Sequence, residues 1–264
     1  MKPIGEMPAE LRRQVELVLT DIDGTLTHEG RLPAASYASL ERLQRSGRRV
    51  IPVTGRPAGW CDLIARQWPV DAVVGENGAF AFRYDDASHR MHRLYARSDV
   101  ERAADRRKLN SIAEAVLAQI PQARIASDQP YRIADLAVDF AEDVPHLDEA
   151  HIDRIVETFQ RAGATAKVSS IHVNGWFGDY DKLSMALLVL KESFGMSSTA
   201  AKAKAIFIGD SPNDAPMFEF FPNSVGVANV TEYAQRIDTL PAWITSGRSA
   251  TGFCEFVDEL LREP

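Results

Sequence analysis

The stretch TDIDGTL, residues 20–26, follows the apolar run VELVL at 15–19. VELVL has the length and composition of a buried strand. At its end stand two carboxylates, Asp21 and Asp23, on the same side of an extended chain, because side chains two apart share a face. Such a pair repels unless something positive lies between. A polar turn closing a strand is the plainer reading, since Asp-Gly is a frequent turn dipeptide. The rest of the chain has to decide between the two.

Outward from this point the chain alternates. PAASYASLERLQRSG, 33–47, reads as a helix with proline first and a glycine stop. VIPVT (50–54), a helix over about 57–68 and AVVG (72–75) follow. The last third resumes the rhythm with a helix at about 181–194, strand AIFIGD (205–210), a short helix near 215–220, strand SVGVA (224–228), a further short helix, strand AWIT (242–245) and a closing helix near 250–262. Strands alternating with helices across short loops predict a parallel α/β sheet with right-handed crossovers.

The middle differs. A hairpin through 79–95 precedes a charged amphipathic helix at 99–119 and strand-like runs near 123–127 and 132–140. A helix at 145–163 and two short strands in 165–175 repeat the pattern. Helix–strand–strand twice over predicts an inserted α+β domain with an antiparallel sheet. The expected division is a core of residues 1–85 and 179–264, with 86–178 inserted.

Composition bounds the function. Of 264 residues, 45% are hydrophobic and 25% charged, as in ordinary globular proteins. The net charge of −7 offers no footprint for nucleic acid or an anionic membrane. The run VERAADRRKL is a solvated helix face. No apolar stretch reaches membrane-spanning or signal-peptide length, and Cys61 and Cys254 read as reduced packing thiols. A cytoplasmic protein acting on a small molecule is the expectation; nothing in the sequence specifies its oligomeric state.

In a parallel α/β sheet, functional groups gather beyond the carboxyl ends of the strands. Asp21 and Asp23 follow the first strand, Thr54 the second, and Asp210 a later one, with Asp214 four residues on. Lys182 opens the helix leading into that later strand. Each has a plain explanation as cap, turn or surface residue. Acids converging on one rim, however, call for a cation, and hard oxygen ligands with room for water suit Mg²⁺.

DIDGT, VTGR, a downstream lysine and GDSPNDAPMF, in that order, resemble the four motifs of the haloacid dehalogenase superfamily of phosphatases, from residue 17 to about 218. An α+β insert between the second motif and the lysine resembles the branch with a large late cap, which includes sucrose-phosphate, mannosyl-phosphoglycerate and broad-specificity (Cof-type) sugar phosphatases. One departure is DKLS at 181–184, where relatives usually have glycine after the lysine. The resemblance implies a Rossmann-like core and Mg²⁺-dependent hydrolysis of a small phosphate ester through an aspartyl-phosphate. It makes Asp21 the nucleophile and Asp23 the general acid and base, with Mg²⁺ on Asp21, the Asp23 main-chain carbonyl and Asp210. Thr54 and Lys182 would hold phosphoryl oxygens, with Asp214 and Asn213 behind them.

Substrate contacts follow no portable pattern. Tyr131, Arg132, His172, Asn174 and Trp176 flank the insert's strands, and Gly55, Arg56 and Asn77 follow strand ends. Trp176 suggests stacking on a sugar ring; a hinge or core aromatic is the alternative. A hexose phosphomutase would share the same intermediate. A phosphoacceptor signalling domain would share the acid cluster, at about half the length and without an insert.

Overall fold

The computed structural model describes residues 1–263. Six parallel strands form the main sheet in the order Lys2–Pro3, Trp243–Ile244, Val225–Gly226, Ala205–Gly209, Leu17–Thr20 and Arg49–Pro52. Its two faces divide the strand residues by parity. Val18, Val50 and Ile206 pack with Leu40, Leu43, Ile64, Phe253 and Phe256 on one side. Leu17, Leu19, Ile51 and Phe207 pack with Met185, Val189, Ala201 and Met217 on the other. A sheet buried on both faces needs such continuous apolar strands, and LVLT at 17–20 and AIFIG at 205–209 supply them. The expected parallel α/β core is borne out.

Beyond Arg49–Pro52, Val53 bridges to Val74 in parallel fashion. Val73–Gly75 then leads an antiparallel group with Phe80–Asp85 and Arg90–Tyr95. The hairpin is therefore attached to the core through its first strand.

The insert has its own antiparallel sheet, ordered Arg124–Ile125, Leu136–Asp139, His172–Trp176, Thr165–Val168. Helices Asp99–Gln119 and Glu149–Arg161 cover it. Leu109, Ile112, Val116, Leu136, Val138, Ile155, Phe159 and Val173 form a separate core there. Local chemistry sets the helix starts: Ser98 and Glu101 form a capping box, and Asp148 accepts from the His151 N–H.

Several segments differ from expectation, among them the edge strand Lys2–Pro3 and the helix Ala9–Gln14, neither anticipated from the sequence. The strand expected over 132–140 contains only Leu136–Asp139. Residues Ile133, Ala134 and Asp135 instead give their N–H groups to the Glu76 carboxylate. The helix expected from 145 begins at Glu149, behind the Asp148 cap. A helix at Ser198–Lys204, capped by Ser197, was not anticipated from the sequence.

Gly175, in the middle of the insert's sheet, allows a close approach: a Cβ there would lie 2.1 Å from the Phe159 ring. Phe159 is fully buried. Gly175→Ala is therefore expected to destabilise the insert by about 1–3 kcal/mol through overpacking. Urea unfolding measures this; an unchanged midpoint would mean that Phe159 has room to turn.

Candidate active site

The strand Leu17–Thr20 runs on one further hydrogen bond, Asp21 N–H to the Ile208 carbonyl. The chain then winds back, with the Leu26 and Thr27 N–H groups both reaching the Ile22 carbonyl. Gly24, at φ +76°, makes the turn, and a Cβ there would strike the Asp210 carboxylate. This turn brings the ends of two adjacent strands together.

Carboxylate oxygens of Asp21, Asp210 and Asp214 all lie within 4.8 Å of one another, and all three residues are buried. Lys182 joins them, its Nζ donating to Asp21 Oδ1 and Asp214 Oδ1 at 2.7 Å each. Its helix starts on a box formed by Asp181 and Ser184. That start packs against Gly78, where a Cβ would fall on the Asp181 carbonyl. The close contact is thus accommodated by a glycine from the ENG turn, although position 183 is leucine.

The oxygens are committed unequally. Asp214 Oδ2 accepts from the Asp210 and Ser211 N–H groups, so both its oxygens serve the lysine and the backbone. Asp210 accepts from Asn229 Nδ2 at 2.8 Å and from the Thr25 hydroxyl at 3.4 Å. Lys182 takes one oxygen of Asp21. Burial pushes the Asp21 carboxyl up to about 7, against the pull of Lys182 and with Asp214 and Asp23 adding to the rise. Burial also raises Asp210 well above the ordinary carboxylate range, reinforced by Asp21 and Asp214. Burial opposes the Lys182 charge, but Asp21 and Asp214 outweigh it and hold the ammonium above its usual value. When ionised, three buried carboxylates outnumber the one ammonium, and such hard oxygen donors fit a divalent cation such as Mg²⁺.

Asp23 points elsewhere. Arg56 grips it with two hydrogen bonds of 2.8 Å each. The same Arg56 Nη2 donates to Glu142 Oε1 of the insert at 2.7 Å, and its guanidinium lies 4.4 Å from the centre of the Trp60 ring. Asp23 and Glu142 outweigh burial in keeping Arg56 charged.

Asp21, Asp23, Gly55, Arg56, His172, Asn174 and Asn213 line one small cavity, together with Ser169, Ser170, Ile171 and Ser211. Its free space is about 10 Å³, room for roughly one water. The insert therefore lies directly over the acids. Thr54 is fully buried beside the cavity, its hydroxyl accepting from the Arg56 N–H. Asn77, also buried, accepts from Asn213.

Three expected substrate contacts lie away from this cavity. The Arg132 side chain is fully buried between Asp128 and Asp135 and donates to the Gly55 carbonyl. Trp176 is buried, stacks on Tyr180 and donates to its carbonyl, matching the core-aromatic alternative. Tyr131 is exposed and is not among the residues lining the cavity. Sequence reasoning missed Glu142, Ser169–Ile171, Ser211 and Asn229. A usable signal existed only for Glu142: DFAED places Asp139 to cap a turn, and its carboxylate accepts from Ala141, Glu142 and Asp143 N–H groups.

The comparisons agree with the motifs. The profile of the haloacid dehalogenase-like hydrolases matches residues 18–118. Phosphoglycolate phosphatase 1 of Saccharolobus solfataricus is 25% identical over 252 residues, covering 94% of this chain and 96% of that protein. Among solved structures, Thermoplasma acidophilum 0175 has a TM-score of 0.69 at 18% identity, covering 93% of this chain and 98% of the other. The sucrose-phosphatase of Synechocystis sp. PCC6803, solved with sucrose and phosphate, has a TM-score of 0.61 at 18% identity, covering 94% and 98%. The resemblance read from the motifs, the fold it implied and the expectation of an enzyme are borne out. Among the described residues no helix is long and apolar enough to cross a membrane.

The raised carboxylates make the ion-free protein pH-sensitive. Unfolded carboxyl groups lose their protons near pH ~4, whereas folded Asp21 and Glu76 hold theirs up to about 7. The unfolded chain therefore binds fewer protons over that window, and stability falls as pH rises through it. In chelator, Tm should drop between about pH 5 and 8. Asp210→Asn should lessen the slope and raise Tm at the upper end; thermal melts with an unchanged slope would remove Asp210 from the charge excess.

Proposed function

We propose that this haloacid dehalogenase-like hydrolase is a Mg²⁺-dependent phosphomonoesterase acting on small phosphate esters, with sugar phosphates as its main class, through an aspartyl-phosphate on Asp21. The observation that carries the reading is the buried carboxylate cluster around Lys182, opening onto a cavity that also holds Asp23. Asp21, Asp210 and the Asp23 main-chain carbonyl would hold the ion, whose charge, when bound, offsets that of the transferring phosphoryl group.

The protein groups divide the work. The Asp21 carboxylate attacks phosphorus, splitting one displacement into two easier ones. Lys182 keeps Asp21 oriented and supplies positive charge to the phosphoryl oxygens, and Thr54 adds a hydroxyl from the neighbouring strand end. Asp214 keeps Lys182 in place, and Asn213 supports the same loop. Asp23 gives its proton to the departing oxygen, then takes one from the attacking water. Arg56 holds both carboxylate oxygens of Asp23 in this structure. In the first half-reaction Arg56 must yield one oxygen so that Asp23 can carry a proton.

The insert, taken as residues 86–178, sets what reaches this chemistry. With Ser169–His172 over the acids, it admits small esters, excludes folded phosphoproteins and keeps bulk water out during the reaction.

The test is phosphate release from sugar phosphates and p-nitrophenyl phosphate with Mg²⁺. Activity should vanish in chelator, and Ca²⁺ should inhibit, because its larger and looser coordination shell displaces the nucleophile. Full activity in excess chelator would overturn the metal assignment, and conversion of a hexose 1-phosphate to its 6-phosphate would make the chain a mutase. Asp21→Asn should abolish turnover and phosphoenzyme together. Asp23→Asn should slow alkyl esters by roughly 10²–10⁴-fold, and the activated aryl ester far less in its first half-reaction. Equal losses for both would count against Asp23 as the leaving-group acid.

A further inference from the structure

Outside the catalytic cavity, a wider vestibule of about 420 Å³ lies between the core loop 23–30 and the insert, with Asp23, Thr27, Glu29, Arg56, Glu142 and Ser170 among its walls. A leaving group attached to a phosphoryl on Asp21 would extend into it, since Asp23, Arg56, Ser170 and Ile171 line both spaces. Its charge is one-sided. Among the described residues lining the vestibule, Arg56 is the only lysine or arginine, and its guanidinium is already bound to Asp23 and Glu142. Glu29 and Glu142 add further carboxylates.

Glu142 is held where a leaving group would meet it. Its turn is fixed by the Asp139 carboxylate, and its Oε2 lies 3.0 Å from His172 Nε2. Burial alone would raise the Glu142 pKa, but His172 and Arg56 outweigh it and bring the group down to about 2, so it stays ionised. Its side chain retains 24% of its exposure, more than Asp23 at 17% or Arg56 at 3%. A negative group arriving here meets a fixed carboxylate and finds no unpaired lysine or arginine.

We propose that Glu142 is a specificity-determining residue: its carboxylate, on the same guanidinium nitrogen as Asp23, rejects phosphate esters whose leaving group is anionic and admits neutral ones of the same size. The inference rests on the phosphatase reading and deepens it. Phosphoglycolate, named for the curated relative, falls in the rejected class. Discrimination of this kind works by repulsion against the wrong ligand as well as attraction to the right one.

Matched esters test it. Glycerol 3-phosphate and 3-phosphoglycerate share a carbon skeleton and differ in a hydroxymethyl against a carboxylate. Their kcat/KM values are measured by phosphate release with Mg²⁺, beside p-nitrophenyl phosphate. Wild type should prefer glycerol 3-phosphate by on the order of tenfold or more, the factor that ~1.4 kcal/mol produces. Glu142→Gln, which keeps size and an oxygen for Arg56, should narrow that ratio about tenfold, chiefly through a lower KM for 3-phosphoglycerate. A wild type that cleaves 3-phosphoglycerate equally well or better overturns the proposal while leaving the phosphatase reading intact. So does a ratio unchanged in Glu142→Gln, in which case Glu142 only ties the insert to the core. No phosphate from any ester, the aryl phosphate included, would overturn the phosphatase reading and this one with it.

Discussion

The Lys182 ammonium, set between Asp21 and Asp214 at 2.7 Å each, is the contact on which the site depends. Burying a carboxylate unpaired costs several kcal/mol, and here three are buried together. One lysine cannot neutralise them, but it fixes which oxygens are used. Asp214 gives one oxygen to Lys182 and the other to two backbone N–H groups of its own loop. The loop after Ala205–Gly209 and the helix beginning at Lys182 are thereby fastened to the strand that carries Asp21. Gly209 permits this closeness, since a Cβ there would strike the Asp214 carboxylate.

A second buried charge cluster joins the insert to the core. Glu76, just past Val73–Gly75, accepts N–H groups from Ala58 of the core and from Ile133, Ala134 and Asp135 of the insert. Arg132 lies against it, paired with Asp128 and Asp135 and donating to the Gly55 carbonyl. Asn174 Nδ2 completes the group on Asp135. Burial and the nearby Asp135 charge raise Glu76 to about 7, opposed by Arg132 and the backbone donors. Buried polar networks hold one arrangement when every member is satisfied. The loop carrying Thr54, Gly55 and Arg56 is thus fixed from both domains, and Arg56 continues the link from Asp23 to Glu142.

Much of this was legible in the chain itself. Apolar runs such as VELVL and AIFIG can only be strands covered on both faces, and the spacing of helices between them requires parallel order. DIDGT, VTGR, Lys182 and GDSPND lie at strand ends or helix starts, so any parallel α/β sheet gathers them on one rim. The side-chain period of two in strands, and of 3.6 in helices, carries that information locally.

Tertiary structure decided what local pattern cannot express. Whether Arg132 touches substrate or stays buried depends on Glu76, 56 residues earlier, drawing residues Ile133–Asp135 out of the sheet ladder. Whether Trp176 faces solvent or the core depends on Tyr180 folding over it. Asn229 and Glu142 reach Asp210 and Arg56 from 19 and 86 residues away, across separations where no periodicity connects them. The sequence alone determined which carboxylates had to meet, because strand ends impose it. The path of the insert across them, and so the charge that a leaving group encounters, was decided by long-range pairing of buried polar groups.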